Sequence, residues 1–144
     1  RVDISEDRRM ISSRNVNGFL NAICDLPGLA PATGFTTGRH RITWRVVSSS
    51  PSVNDQCGCG VGVVDCSARP LAAQHLDQYL PRNYPAWFYE CLGQRFHDPD
   101  DDQQNYGCQW GTGDVVTMDI DLSAMHRGEL GTVRFLVNGT DQGV

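Results

Sequence analysis

Apolar positions recur mostly every second residue along this chain. From Val115 to Leu122, Val116, Met118, Ile120 and Leu122 alternate with Val115, Thr117, Asp119 and Asp121. A strand places successive side chains on opposite faces, so this pattern predicts one face in a core and one in water. Residues 132–137 repeat it, with Val133, Phe135 and Val137 inward and Arg134 outward. Asn138-Gly139 then offers the two positive-φ positions of a tight hairpin. Ile42, Trp44 and Val46 alternate with Arg41, Thr43 and Arg45 as a third amphipathic strand. Gly60 to Val64 is apolar throughout and is expected to be a strand buried on both faces. Weaker strand signals lie at Val2–Ile4, Arg9–Ser13, Gly18–Cys24, Trp87–Cys91 and Arg95–His97.

Turn-forming residues separate these runs: Pro27-Gly28, Gly34, Gly38, Ser48 to Pro51, Gly93, Pro99, Gly111-Thr112-Gly113, Gly128 and Gly131. Many short strands at such spacing predict an all-β, two-sheet antiparallel sandwich. One stretch has helical spacing instead. Pro70 stands at a plausible first helical position, and Leu71, Ala72, Leu76, Tyr79 and Leu80 follow on one stripe until Pro81. A short helix over residues 70–80 is the expectation. No internal repeat or linker divides the chain, so residues 1–144 form one domain.

The 144 residues suit a single domain, with 40% hydrophobic and 20% charged residues. Net charge is −5, which argues against a nucleic-acid surface. All 12 basic residues are arginine, excluding Schiff-base chemistry, a Walker P-loop or a kinase lysine. No apolar run approaches the roughly 20 residues that span a bilayer. Arg1 to Arg9 is charged and has no apolar leader core, so the chain is expected to be a cytoplasmic excerpt of something longer.

Six cysteines, at 24, 57, 59, 66, 91 and 108, allow three disulfides, but reduced thiols are the expectation for such a chain. Cys57, Cys59, Cys66 and His75 lack the paired spacing of structural zinc sites. Asp98-Pro-Asp100-Asp101-Asp102 has Gln103 and Gln109 where a calcium loop of the helix–loop–helix type needs glycine and glutamate. Gly58-Cys59-Gly60-Val61-Gly62 precedes a strand rather than a helix, so small residues for close sheet packing explain it better than a dinucleotide. No nucleophile-elbow or zinc-protease motif is present, and no enzyme, metal or cofactor is expected.

The order of motifs resembles a known family. Gly34-Phe35-Thr36-Thr37-Gly38-Arg39-His40 leads into Trp44, followed by Val61-Gly62-Val63 and Ala86-Trp87-Phe88-Tyr89. Then come Gly113-Asp114-Val115-Val116 and the run Gly131-Thr132-Val133-Arg134-Phe135-Leu136-Val137-Asn138-Gly139 through Gly143. Over nearly its whole length the chain resembles the SPRY (B30.2-type) domain, closest to the SPRY-domain SOCS-box proteins and their F-box relative. Glu6-Asp7 and the Arg69-Pro70-Leu71 opening of the helical stretch carry that closer likeness.

The resemblance implies a bent, concanavalin-like sandwich that binds a short acidic, asparagine-bearing peptide through loops at one end. It implies a role in substrate recognition for a ubiquitin ligase, or as a module of a larger protein. Arg14, Asn15, Val16, Leu76 and Tyr79 match the family's partner-binding positions. Val16 replaces a proline there, and Leu76 and Tyr79 exchange aliphatic and aromatic roles. No SOCS box or F-box is encoded, and the family's last strands lie beyond Val144. The rest of its own longer polypeptide is therefore a second candidate partner. Two other readings remain: a carbohydrate-binding sandwich using Trp110 as an aromatic platform or residues 98–102 as a calcium loop, and a purely structural module.

Overall fold

The computed structural model describes residues 2–6, 10–13, 34–49, 59–65, 84–97 and 104–143. Strands dominate them. A small hairpin joins β1 (Val2–Ile4) to β2 (Ile11–Ser13). The remaining strands form two antiparallel four-stranded sheets. The first contains β3 (Arg39–Arg45), β8 (Val115–Asp121), β9 (Thr132–Val137) and β10 (Thr140–Asp141), in the order β10-β9-β8-β3. The second contains β4 (Gly60–Val64), β5 (Ala86–Glu90), β6 (Gln94–His97) and β7 (Gln104–Asn105), in chain order. The one helical element among the described residues is a 3₁₀ turn at Met125–Arg127. The segment expected to be helical, 70–80, and the strand expected at Gly18–Cys24 lie outside the described residues.

The two sheets share one core. Val116, Met118 and Ile120 of β8 and Phe135 and Val137 of β9 are buried. Against them pack Ile42 and Trp44 of β3, Val46 just beyond it, and Val61 and Val63 of β4. On β3, β8 and β9 these are the positions that the alternation assigns inward. Tyr89, fully buried on β5, meets the first sheet through Phe135, with ring centroids 5.4 Å apart. Trp110 closes the cluster at 6% exposure, its ring centre 6.1 Å from that of Tyr89. A shared face of this kind is what makes two amphipathic sheets into a sandwich.

The expectation for β4 needs correction. Gly60 is exposed and Val61 to Val64 are only half-buried, because β4 pairs with β5 on one side and stands at the end of its sheet among the described residues. Its glycines have separate explanations. A Cβ built on Gly62 would sit 2.2 Å from the Trp87 carbonyl oxygen and 2.9 Å from Phe88 Cα, whereas one on Gly60 would meet nothing closer than 3.5 Å. Only Gly62 is compelled by packing.

Substituting Gly62→Ala should therefore destabilise the domain by about 2 kcal/mol or more through forced displacement of β5, while Gly60→Ala should melt within a degree or so of the parent protein. Phe135→Ala should cost about 3–5 kcal/mol through lost burial and the cavity left behind. Urea unfolding followed by circular dichroism measures all three. Equal behaviour of the two glycine variants would refute the close approach of β4 and β5.

Candidate functional site

Arg14, Asn15, Val16, Leu76 and Tyr79 all lie outside the described residues, so the geometry of the sequence-assigned site rests on its anchors. The chain leaves β4 at Val64 and re-enters the sheet at Ala86, its pairing partner. The Asp65 amide donates to the Pro85 carbonyl at 2.8 Å, which ties the two ends of the connection carrying Leu76 and Tyr79. His97, the last residue of β6, pairs with Trp87, and their rings stack with centroids 4.7 Å apart. The acidic connection 98–103 therefore starts at the same end of the sheet. The long connection 65–85 and the short connection 98–103 share one end of one sheet.

A second cluster forms where β3 ends and β8 begins. The Asn138 side-chain amide donates to Asp114 Oδ1 at 2.8 Å, and the Val115 amide donates to Asn138 Oδ1 at 2.9 Å. The Gly111 amide donates to the other Asp114 oxygen at 2.8 Å. Asn138 and Gly139 take φ of 50° and 80°, and Thr140 pairs with Val137 across them, the two-residue hairpin that the Asn-Gly pair predicts. The Gly-Asp-Val and Asn-Gly motifs are thus in contact although 24 residues separate Asp114 from Asn138. Ser49 and Thr112 add a second tie, the Ser49 amide donating to the Thr112 hydroxyl at 2.9 Å.

The outward face of the first sheet is a charged ladder. Arg41 grips Asp119 with two hydrogen bonds of 2.6 and 2.7 Å, and Arg39 meets Asp121 at 2.8 Å. Arg134 lies between Asp119, at 3.3 Å, and Asp141, at 3.2 Å. Hydrogen bonding by Arg41, with a smaller contribution from Arg134, holds the Asp119 carboxyl below the usual carboxylate range. Hydrogen bonds from Ser123 do the same for Asp121, and those from Asn138 and Gly111 for Asp114. The alternation of Arg39, Arg41 and Arg45 against Asp119 and Asp121 was legible in sequence, but the pairing of two strands so far apart in the chain was not.

Trp110 is buried against Tyr89, so it offers no exposed platform for a sugar. Its indole nitrogen has no hydrogen-bond partner among the described residues. Among the described residues no three His, Cys, Asp or Glu side chains gather as a metal site. Cys59 and Cys91 are half-buried against the core and Cys108 is exposed; all three are thiols. Cys24, Cys57, Cys66 and the acidic residues 98–102 lie outside the described residues. No described helix is long and apolar enough to cross a membrane.

The clasp formed by Asp114 and Asn138, together with the charged ladder, predicts an acid dependence. Because the folded-state pKa values of Asp114, Asp119 and Asp121 lie below the ordinary value near 4, their stabilisation is complete above about pH 4 and fades as pH falls through the lowered values. Thermal melts from pH 7 to pH 2 should show a falling midpoint below about pH 4, and Asp114→Asn should flatten that fall while lowering the midpoint at pH 7. An unchanged acid limb in Asp114→Asn would remove the clasp from the account.

None of the protein-family models compared with the chain matches it, and none of the curated proteins compared with it matches either.

Proposed function

We propose that this chain is a non-catalytic protein-interaction module that binds a short peptide or partner surface through connections at one end of a β-sandwich. The observation that carries the reading is that the long connection 65–85 and the short acidic connection 98–103 leave the second sheet at the same end, marked by Asp65, Pro85 and the Trp87–His97 stack. A rigid sheet that projects long connections from one end is a common way to present recognition residues. The contact between the Gly-Asp-Val and Asn-Gly motifs adds support, since the residues that carry the SPRY resemblance act together in the fold.

On this reading Arg14 pairs a ligand carboxylate, Asn15 and Val16 line the same surface, and Leu76 and Tyr79 present aliphatic and aromatic area from one helix face. The module serves in the cytoplasm as the substrate-recognition part of a ubiquitin ligase or as a domain of a larger protein. It needs no cofactor. With Trp110 buried, nothing specific favours a carbohydrate ligand.

Calorimetric titration with an acidic, asparagine-bearing peptide tests the proposal. Arg14→Ala and Tyr79→Ala should each weaken binding about thirtyfold, the equivalent of roughly 2 kcal/mol, with melting behaviour unchanged. Full affinity in both variants, or no binding by the parent protein to such peptides, would leave a purely structural module as the better description.

A further inference from the structure

A different surface is carried entirely by described residues. Strand β3 pairs with β8 on one side only, and among the described residues no strand lies on its other side. The Leu122 amide donates to the Gly38 carbonyl and the Val46 amide to the Asp114 carbonyl, which fixes the parity of the ladder. Antiparallel residues alternate between those bonded to the neighbouring strand and those whose N–H and C=O point away. His40, Ile42 and Trp44 therefore bond to β8, and Arg39, Arg41, Thr43 and Arg45 direct their backbone groups to the open edge. The same four residues are exposed, with the Arg39 side chain at 80% and that of Arg41 at 65%. Thus one parity of β3 offers both main-chain hydrogen bonds and three guanidinium groups. The other parity turns half-buried Ile42 and Trp44 toward the core side.

We propose that the edge of β3 on which no described strand lies is a strand-addition site for an extended, antiparallel segment of a partner protein that alternates acidic and apolar side chains. Opposite Arg39, Arg41 and Arg45 the added strand places its acidic residues, because residues facing each other across a ladder share a sheet face. Its intervening apolar residues then extend the cover over Ile42 and Trp44. The carboxylates now beside Arg39 and Arg41 are no obstacle. Exposed ion pairs contribute little, and one guanidinium has five donors, enough for two carboxylates. Arg45 stands opposite Val115 and, unlike Arg39 and Arg41, has no acidic partner among the described residues.

Charged side chains on an edge strand also discourage one sheet from pairing with another. The two roles differ in what they bind. A fluorescent peptide of the seven-residue length of β3, alternating glutamate with valine, is titrated against the full chain by anisotropy. Saturable binding that weakens with salt is expected. N-methylation of the glutamate residues should reduce affinity about tenfold or more, because those residues carry the edge hydrogen bonds, while methylation of the valines should change it little. Arg45→Glu should weaken binding about tenfold with an unchanged melting temperature, and Arg14→Ala should leave it intact. Binding that ignores backbone methylation, that persists in Arg45→Glu, or that is lost in Arg14→Ala would overturn the proposal. So would absence of binding together with self-association of an Arg45→Thr variant, the signature of a purely protective edge.

Discussion

A buried phenol stands where the two sheets meet. Tyr89 is an apolar ring with a polar tip, and burial obliges that tip to find an acceptor. Its hydroxyl donates to the Cys108 carbonyl, so the irregular segment after β7 must fold back across the ring. That return brings Tyr106 edge-on to Tyr89, with centroids 5.2 Å apart, and sets Trp110 over the other side. Burial, reinforced by the neighbouring Cys108, pushes the Tyr89 phenol well above its ordinary pKa. Phe135 completes the contact from the opposite sheet. The same segment after β7 is tied to the first sheet just after β10, where the Cys108 amide donates to Gln142 Oε1 at 2.8 Å and the Tyr106 hydroxyl donates to the Gly143 carbonyl.

The central strand β8 makes the second organising contribution. Its inward residues fill the core, and its outward residues carry Thr117, Asp119 and Asp121, each facing a polar partner on β3. A one-residue slip would bury the aspartates and expose Val116, Met118 and Ile120. The ladder of ion pairs adds little energy, yet it agrees with the hydrophobic pattern about which register is correct. Agreement between independent signals is what narrows a sequence to one fold.

The strands of the first sheet were legible because each has one face in the core and one in water, which period-two alternation records directly. β4 was misread because Gly60 and Gly62 remove the side chains that would have shown the alternation, and only the approach of Trp87 tells the two glycines apart. Trp110 was offered as a platform only because a carbohydrate-binding sandwich needs an exposed aromatic side chain. Its burial follows from the chain returning over Tyr89, a tertiary event with no local signature. The place of β3 at the end of its sheet among the described residues is likewise a property of sheet order. The recognition residues Arg14, Asn15, Val16, Leu76 and Tyr79 were assigned by family likeness, and helical spacing alone links the last two.

The clasp at Asn138 also bears on the chemical lifetime of the chain. An asparagine followed by glycine is the pair most open to deamidation, since the next backbone nitrogen can attack the side-chain amide carbon and expel ammonia. In the folded hairpin the Asn138 amide is held at both ends, its nitrogen by Asp114 and its oxygen by the Val115 amide. Cyclisation must break both bonds and turn the amide toward Gly139. Any isoaspartate that did form would lengthen the backbone by one carbon inside a two-residue turn. The integrity of this covalent bond is thereby coupled to the folded state, and each excursion into the unfolded chain is an opportunity for irreversible ageing at one peptide link.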